Sequence, residues 1–383
     1  MLTKQKRGKS LLFLFSLIFL STAGLQTAKA QLGDVGEILR GGSTDSNLLL
    51  NEYLKPFGSG FGADLNSGWV NTARAYKPFG IDLRLTAAFS VVPDTDQLFD
   101  VTRLQFQELQ ILGGPNQSPT AFGEDIESTR LGKTYVNPQN GQEEELFGFL
   151  LPRGAGLPIS AVPAPMAQLT VGIIKDTDVS LRYLPTLSVQ PDQFDMGVDH
   201  FDIGMWGLGV KHGLNQWLPG GSLIPVDLSV QAGYTRLTSN TSFSVNPIVD
   251  QDTRNDFAAS TWNGQGLQFK STGFTGNVLV GKTLPLISIY GGLGFQSSQT
   301  IIKTPGSYPI ITPIEYEPDE YEQGDPVKQI EKVDEPVDVE LNGSNKFHAM
   351  AGLRIRLAIL AISASYTVSD YPTLNVGVGL SFR

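Results

Sequence analysis

The sequence predicts an all-β fold: an antiparallel transmembrane β-barrel of 10–14 strands, with a short N-terminal helix and plug-like segment ahead of it. Three observations carry this. Apolar residues alternate with small or polar ones through run after run of the chain. The connections between runs alternate between short and long. The composition is poor in charge and rich in glycine: of 383 residues 17% are charged, 42 are Gly and none is Cys. A typical soluble domain carries about 25% charged residues and about 7% Gly.

The same composition excludes several functions. Without cysteine there is no disulfide scaffold, thiolate metal site or cysteine nucleophile. A formal net charge of −10 offers no basic face to nucleic acid.

Residues 1–30 read as a signal peptide. Lys4, Lys6, Arg7 and Lys9 form its basic start, residues 11–20 its apolar stretch, and Ala28-Lys29-Ala30 a small-x-small cleavage site. The apolar stretch is shorter than the ~20 residues of a spanning helix. The leader holds five basic residues and no acidic one, so the remaining chain carries net −15. The expected location is the bacterial cell outer membrane.

Residues 31–78 lack strand alternation. Residues 45–54 read as a short helix, capped by Asp45 or Ser46 and stopped by Pro56 and Gly58. The Gly-rich run Gly58-Ser59-Gly60-Phe61-Gly62 and then Asn66-Ser67-Gly68-Trp69 follow. Such a segment could enter the barrel as a plug or lie beneath it as a periplasmic flap.

The strands occupy residues 79–383. In a strand, residues i, i+2 and i+4 share a face. Leu374, Val376, Val378, Leu380 and Phe382 make one such face, opposed by Asn375, Gly377, Gly379 and Ser381. Leu360, Ile362, Ala364, Tyr366 and Val368 repeat the pattern, as do Leu83, Leu85, Ala87, Phe89 and Val91. Further runs lie near 169–173, 179–183, 226–234, 287–295 and 351–357. Weaker ones cover 199–211 and 266–281, with a phase slip near Met205-Trp206 and near Ser271–Phe274, as at a bulge. The second face is rich in Gly, Ser, Thr and Asn, which suits a crowded lumen better than a water-facing surface, although a soluble exported β protein with inward apolar faces remains the alternative.

Short connections near 175–177, 282–284 and 358–359 fall on one side when strands are counted back from the C-terminus. Long ones at 92–165, 239–265 and 303–344 fall on the other, as short periplasmic turns and long outer loops do. Ten strands result, or twelve if 104–112 and 146–151 add a hairpin. Tyr183, Trp206, Trp217, Tyr234, Tyr366, Tyr371 and Phe382 are candidates for aromatic girdles at the lipid interfaces. Residues 315–340 hold eleven acids and two lysines and read as a solvated outer loop. Calcium there would want clustered oxygens, but the Asp-x-Asp-x-Asp-Gly pattern is absent.

The search for chemistry finds no catalytic, nucleotide or cofactor motif, so an enzyme is not expected. Asp195, Asp199, His200 and Asp202 form the one grouping of His with acids. They fall on an outer loop, where solvated polar residues are ordinary. Asp82, Arg84, Arg182, Asp227, Arg354 and Arg356 are the informative charges, because strand parity sends them into the lumen. They would either pair as inner salt bridges that rigidify a narrow barrel or form a selectivity surface for a solute.

Tyr53-Leu54-x-Pro56, Gly60-Phe61-Gly62, Asn66-Ser67-Gly68-Trp69 and a strand ending Val92-Pro93-Asp94 give the chain a family resemblance. It resembles an uncharacterised family of exported bacterial proteins, domain of unknown function 6588. That resemblance implies an outer-membrane-type barrel and no particular activity. A plug-like segment before a barrel is also similar in architecture to long-chain fatty-acid transporters of the outer membrane. The C-terminal strand resembles the signal read by barrel-assembly machinery, with the aromatic Phe382 penultimate and Arg383 last.

The function expected is a passive channel or uptake porin for a small or hydrophobic solute, with no cofactor. A structural or surface-interaction barrel is the second reading. The partners expected are outer-membrane lipid, the assembly machinery and the solute.

Overall fold

The computed structural model describes residues 38–382 apart from 139, 190–199, 222–223, 248, 317–323 and 345. The signal peptide and Asp195 and Asp199 lie outside the described residues.

Ten strands form the barrel: β1 (Ile81–Val91), β2 (Ala161–Ile173), β3 (Thr177–Val189), β4 (His200–Gly213), β5 (Asp227–Ser242), β6 (Gly266–Thr283), β7 (Ile287–Lys303), β8 (Phe347–Leu357), β9 (Leu360–Val368) and β10 (Thr373–Phe382). Each pairs antiparallel with its sequence neighbour, and β1 closes the ring on β10 from Ile81↔Phe382 to Ser90↔Thr373. Closure leaves no open barrel edge for another chain to pair with.

The alternation sets what faces out. On β10, Leu374, Val376, Val378, Leu380 and Phe382 are exposed while Thr373, Asn375 and Ser381 are buried. Leu83 and Leu85 on β1, Leu208 and Val210 on β4, Ile289 and Leu293 on β7 and Ile362 on β9 continue the exposed apolar band. An apolar band this continuous suits hydrocarbon rather than water. Trp206, Tyr183, Trp217 and Tyr366 are exposed with it, as girdle residues would be. Tyr371 is not: it is buried under the loops and donates its hydroxyl to Asp96.

Short turns join β2 to β3, β6 to β7 and β8 to β9 at one end. Lys175, Asp176 and Ala358 adopt positive φ to make two of them. The other end carries the long loops, and these are folded. Gln110–Gly113, Arg130–Val136 and Glu143–Leu150 make a three-stranded sheet, and Thr253–Arg254, Lys328–Asp334 and Ser307–Pro313 make another. The hairpin expected from 104–112 and 146–151 does not form, because Arg130–Val136 lies between the two segments in a sheet outside the barrel, and the barrel strand number stays at ten. From residue 328 onward the acidic stretch forms strands rather than the solvated loop its charge suggested. Lys328–Asp334 pairs with Ser307–Pro313, and Asp338–Asn342 extends the sheet beyond β7, because Ile330, Val337, Val339 and Leu341 supply a buried apolar side.

Three strand readings need correction. The slip expected on β4 is absent: its ladder to β5 is continuous, the register shift in its ladder to β3 is an extra residue on β3 between Leu184 and Leu187, where Pro185 sits, and Ile203 and Met205 looked out of phase because they face the inner core. The slip expected on β6 is absent, since its ladders to β5 and β7 are continuous. Phe269 looked out of phase because it points inward, against Phe57 and Phe61. β2 also begins earlier than the alternation suggested. Its prolines, Pro163 and Pro165, precede Gln168, where its ladder to β3 starts, so they face a single ladder.

The helix α1 spans Gly42–Asn66, more than twice the expected length, and runs through Pro56. A proline inside a helix costs about 3 kcal/mol through its missing N–H and its ring clash. Tertiary burial offsets this. Leu49, Leu50, Tyr53, Phe61 and Leu65 are all buried in the main apolar core. The glycines that signalled a stop serve instead as contact points. A Cβ on Gly62 would overlap Ser298 Oγ of β7, and one on Gly60 would come within 2.6 Å of Val162.

Candidate functional site: a filled lumen

The helix starts among the long loops and ends inside the barrel. At its start, the buried Asp45 carboxylate accepts the backbone N–H groups of Gln107, Glu108 and Leu109. Ser43 donates its hydroxyl to the Pro336 carbonyl. At its end, Ser67 closes the last turn and Gly68 turns the chain at φ +67°. Residues 69–80 then cross the remaining lumen to β1. Of the two placements left open by sequence, the segment takes the lumen.

The barrel wall holds this crossing by its backbone. Arg182 is fully buried and donates to the Leu65 carbonyl at 2.7 Å, to the Ser67 carbonyl and to Gln168. These are the free carbonyls of a helix C-terminus, where a cation also meets the negative end of the helix dipole. Thr235 adds a second donor to the Leu65 carbonyl. Arg84 donates to the Gly68 and Trp69 carbonyls, Gln168 to Trp69, and Tyr290 to Val70. Lys211 reaches the Thr72 and Arg74 carbonyls at 3.0 and 2.9 Å, and its ammonium sits 3.0 Å from Asp178. Asp178 in turn accepts the N–H of Tyr76.

Trp69 fixes the middle of the crossing. Its ring lies against Gly209 of β4 and Gly233 of β5, where an added Cβ would come within 2.6 and 2.5 Å of it. The Arg182 guanidinium sits over the ring at 3.8 Å, in cation–π contact. Two neighbouring strands thus present a glycine floor shaped to one indole.

Of the six charges that parity sent inward, the structure brings four together around the crossing: Asp82, Arg84, Arg182 and Arg354. Asp82 and Arg354 form a buried ion pair at 2.9 Å. Asp227 lies at the short-turn rim and pairs with Arg74 at 2.9 Å. Arg356 follows the right parity but stands at the strand end and is exposed. The lumen charges therefore split between one salt bridge and donors to the plug backbone. Sequence reading missed Lys211, Asp178 and Gln168. Parity alone could have found them, because Val210, Val179 and Leu169 face out beside them.

The two cavities flanking Trp69 are each about 10 Å³, room for about one water. His348 bonds Asn277, which lines one of them, at 2.7 Å, and His212 stands at the short-turn end of β4 with Thr177, Gln216 and Trp217. His200 and Asp202 pair at 3.0 Å, and among the described residues no group of three or more His and acidic side chains could hold a metal.

Strand order, outward apolar band and filled interior together define a ten-stranded β-barrel of outer-membrane type with an internal plug segment. The chain belongs to a family of unknown function, DUF6588, whose match covers residues 8–382. Among curated proteins none matches it in sequence.

Solved structures similar to it include the translocator domain of the autotransporter NalP from Neisseria meningitidis, 9% identical, with TM-score 0.28, covering 80% of this chain and 90% of that one. The toluene transporter TodX of Pseudomonas putida is 8% identical, with TM-score 0.24, covering 85% and 76%. A FadL homologue of Pseudomonas aeruginosa is 10% identical, with TM-score 0.22, covering 85% and 97%. At these scores the likeness adds nothing to what strand order and the apolar band already define.

Proposed function

We propose that this protein is a bacterial outer-membrane uptake barrel, closed at rest, that admits a small or hydrophobic solute when residues 67–78 move off the wall. The observation that carries this reading is the way the crossing is held. From Gly68 to Arg74 the wall grips main-chain carbonyls through Arg84, Gln168, Tyr290 and Lys211, one or two hydrogen bonds at a time. Such contacts are individually worth about 1 kcal/mol and can exchange for water or for solute groups. An apolar seal offers no such exchange.

In this reading the leader exports the chain, assembly machinery reads the C-terminal strand, and lipid meets the apolar band. The long loops face outward. No cofactor and no catalytic step is needed.

Planar-bilayer recording tests the proposal. The wild-type barrel should be silent for most of the record with brief openings. A Gly209→Leu, Gly233→Leu variant, which removes the indole floor, should conduct continuously. Continuous large conductance in the wild type would overturn closure at rest. A silent variant that still shows the heat-dependent gel shift of a closed barrel would overturn the plug's part in it.

A second reading, a surface-interaction barrel, is favoured by one observation: the long loops fold into sheets with their own buried apolar residues, such as Tyr308, Ile311 and Trp262. It expects silence from both proteins.

A further inference from the structure

One seam of the barrel wall is zipped over only half its length. β2 and β3 pair from Gln168↔Arg182 to Ile173↔Thr177, the half next to their short turn. Beyond Gln168 and Arg182, β2 runs on through residues 161–167 and β3 through 183–189. There β2 is paired with β1 and β3 with β4, but the two are not paired with each other. Among the described strands no other neighbouring pair parts in this way.

Proline keeps this stretch unzipped. Val92 donates to the Ser160 carbonyl and Gly172 to the Gly80 carbonyl, so the even-numbered residues of β2 bond β1 and the odd-numbered ones turn to β3. Pro163 and Pro165 are odd and bring no N–H to the seam. Across it, Gly213 donates to the Asp176 carbonyl, so the odd-numbered residues of β3 turn to β2, and Pro185 is one of them. Three donors that a ladder would need are absent, which bars these edges from regular pairing with each other or with a strand of another chain. The same absence suits hydrocarbon, where an unmet backbone N–H is costly.

The stretch is apolar on both faces. Inside, Val162, Ala164 and Met166 belong to the main core, and Leu184 packs against it. Outside, Pro163, Tyr183 and Pro185 are exposed. Residues 161–167 and 183–189 hold no charged side chain. The stretch also starts within the apolar band: Ala167 stands opposite Leu85 of β1, and Leu85 opposite Val378 of β10, both exposed. The last rung below it doubles as the clamp on the crossing. Arg182 donates to Gln168 and to the Leu65 and Ser67 carbonyls, and Gln168 donates to the Trp69 carbonyl. Release of the crossing therefore frees the two side chains at the foot of the unzipped stretch.

We infer that the wall parts between residues 161–167 of β2 and 183–189 of β3, giving an apolar solute a sideways path between the lumen and the outer leaflet, with Arg182 and Gln168 as its latch. The inference rests on the uptake reading above and narrows the solute to the apolar class.

The test staples the seam in the full chain. Ala167 and Tyr183 follow the last rung, where opposed Cα atoms stand about 5 Å apart, within reach of a disulfide. When an Ala167→Cys, Tyr183→Cys variant is oxidised, uptake of the apolar dye N-phenylnaphthylamine by intact cells should fall to that of cells lacking the barrel. Reduction should restore it. Bilayer recording of the oxidised variant should still show the brief openings. Equal dye uptake by the oxidised and reduced barrels overturns the seam. So does a wild type that opens in the bilayer but adds nothing to dye uptake. A wild type that neither opens nor takes up dye overturns the uptake reading and this inference with it. If the variant lacks the gel shift or does not crosslink, the wild type decides. An apolar diazirine probe photolysed with it in vesicles should label Met166, which is 1% exposed. Label confined to outward side chains overturns the inference.

Discussion

The two halves of the lumen are closed by different means. Toward the long loops, α1 packs like the core of a soluble protein: Leu49, Leu50, Tyr53 and Phe61 meet Phe269, Ile302, Val339 and Leu341. Toward the short turns, residues 67–76 bury only a small apolar cluster, Trp69, Val70 and Ala73 against Leu279 and Tyr290, and are held besides by Arg84, Arg182, Lys211 and Gln168 on their carbonyls. Apolar packing is dense and non-directional, and tends to keep one arrangement. A backbone gripped by side-chain donors can slide or release one bond at a time. Under the proposed function, permanence belongs to the helix and movement to the crossing.

The largest effect is expected at the buried Asp82–Arg354 ion pair of the polar half. Asp82→Leu leaves Arg354 buried and unpaired and should cost about 3–5 kcal/mol. Adding Arg354→Met should recover most of that in urea unfolding followed by the gel shift. If the double variant is no better than the single, the pair is not the unit the geometry implies.

Next comes the apolar half. Leu50→Ala removes a fully buried side chain and should cost about 3 kcal/mol. It should leave bilayer conductance silent, because the crossing below it is untouched. A conducting Leu50→Ala barrel would erase the distinction between the halves.

A smaller effect separates the helix from the loops. Asp45→Ala frees three backbone N–H groups at 107–109 and should cost about 2 kcal/mol. Limited proteolysis should then cut the 92–160 loop while the barrel keeps its gel shift.

The smallest effect is in pH. The Thr253 hydroxyl, followed by Lys328, holds the Asp250 carboxyl below its usual range. A depressed carboxyl contributes stability above its unfolded value, and that stability is lost as pH falls through the folded one. Below about pH 4 the turn at 250–253 should exchange amide hydrogens faster, with the barrel strands unchanged. Equal exchange at pH 7 and pH 3 would remove Asp250 from the account.

The barrel was legible because its signal is local. Leu374 to Phe382 states its own faces, and short and long connections give the strand order without any partner in view. The plug was legible only in part. Asp45 and Leu50 announce a helix, but its passage through Pro56 depends on Ser298, Val162 and Leu341, which are remote in sequence. The inward aim of Arg84 and Arg182 follows from parity. Their targets do not, because a main-chain carbonyl at residue 65 or 68 has no signature in the residue's identity. Tyr371 misled for a similar reason: an aromatic beside a strand end looks like a girdle residue until Asp96 is known to cover it.

The most direct test of the central claim, that α1 ends inside the barrel against the wall and delivers the crossing segment there, uses the absence of native cysteine. A Cβ built on Gly273 of β6 lies 3.1 Å from Asn66 Cγ, near the about 3 Å between a sulfur and its partner's Cβ in a disulfide. An Asn66→Cys, Gly273→Cys variant should therefore crosslink on mild oxidation in the folded, membrane-inserted barrel. The bond holds only the end of α1, so under the proposed gating the crosslinked and the reduced barrel should both be silent for most of the record. A correctly folded variant that resists crosslinking, or that conducts continuously once crosslinked, would contradict a lumen closed from inside by this part of the chain.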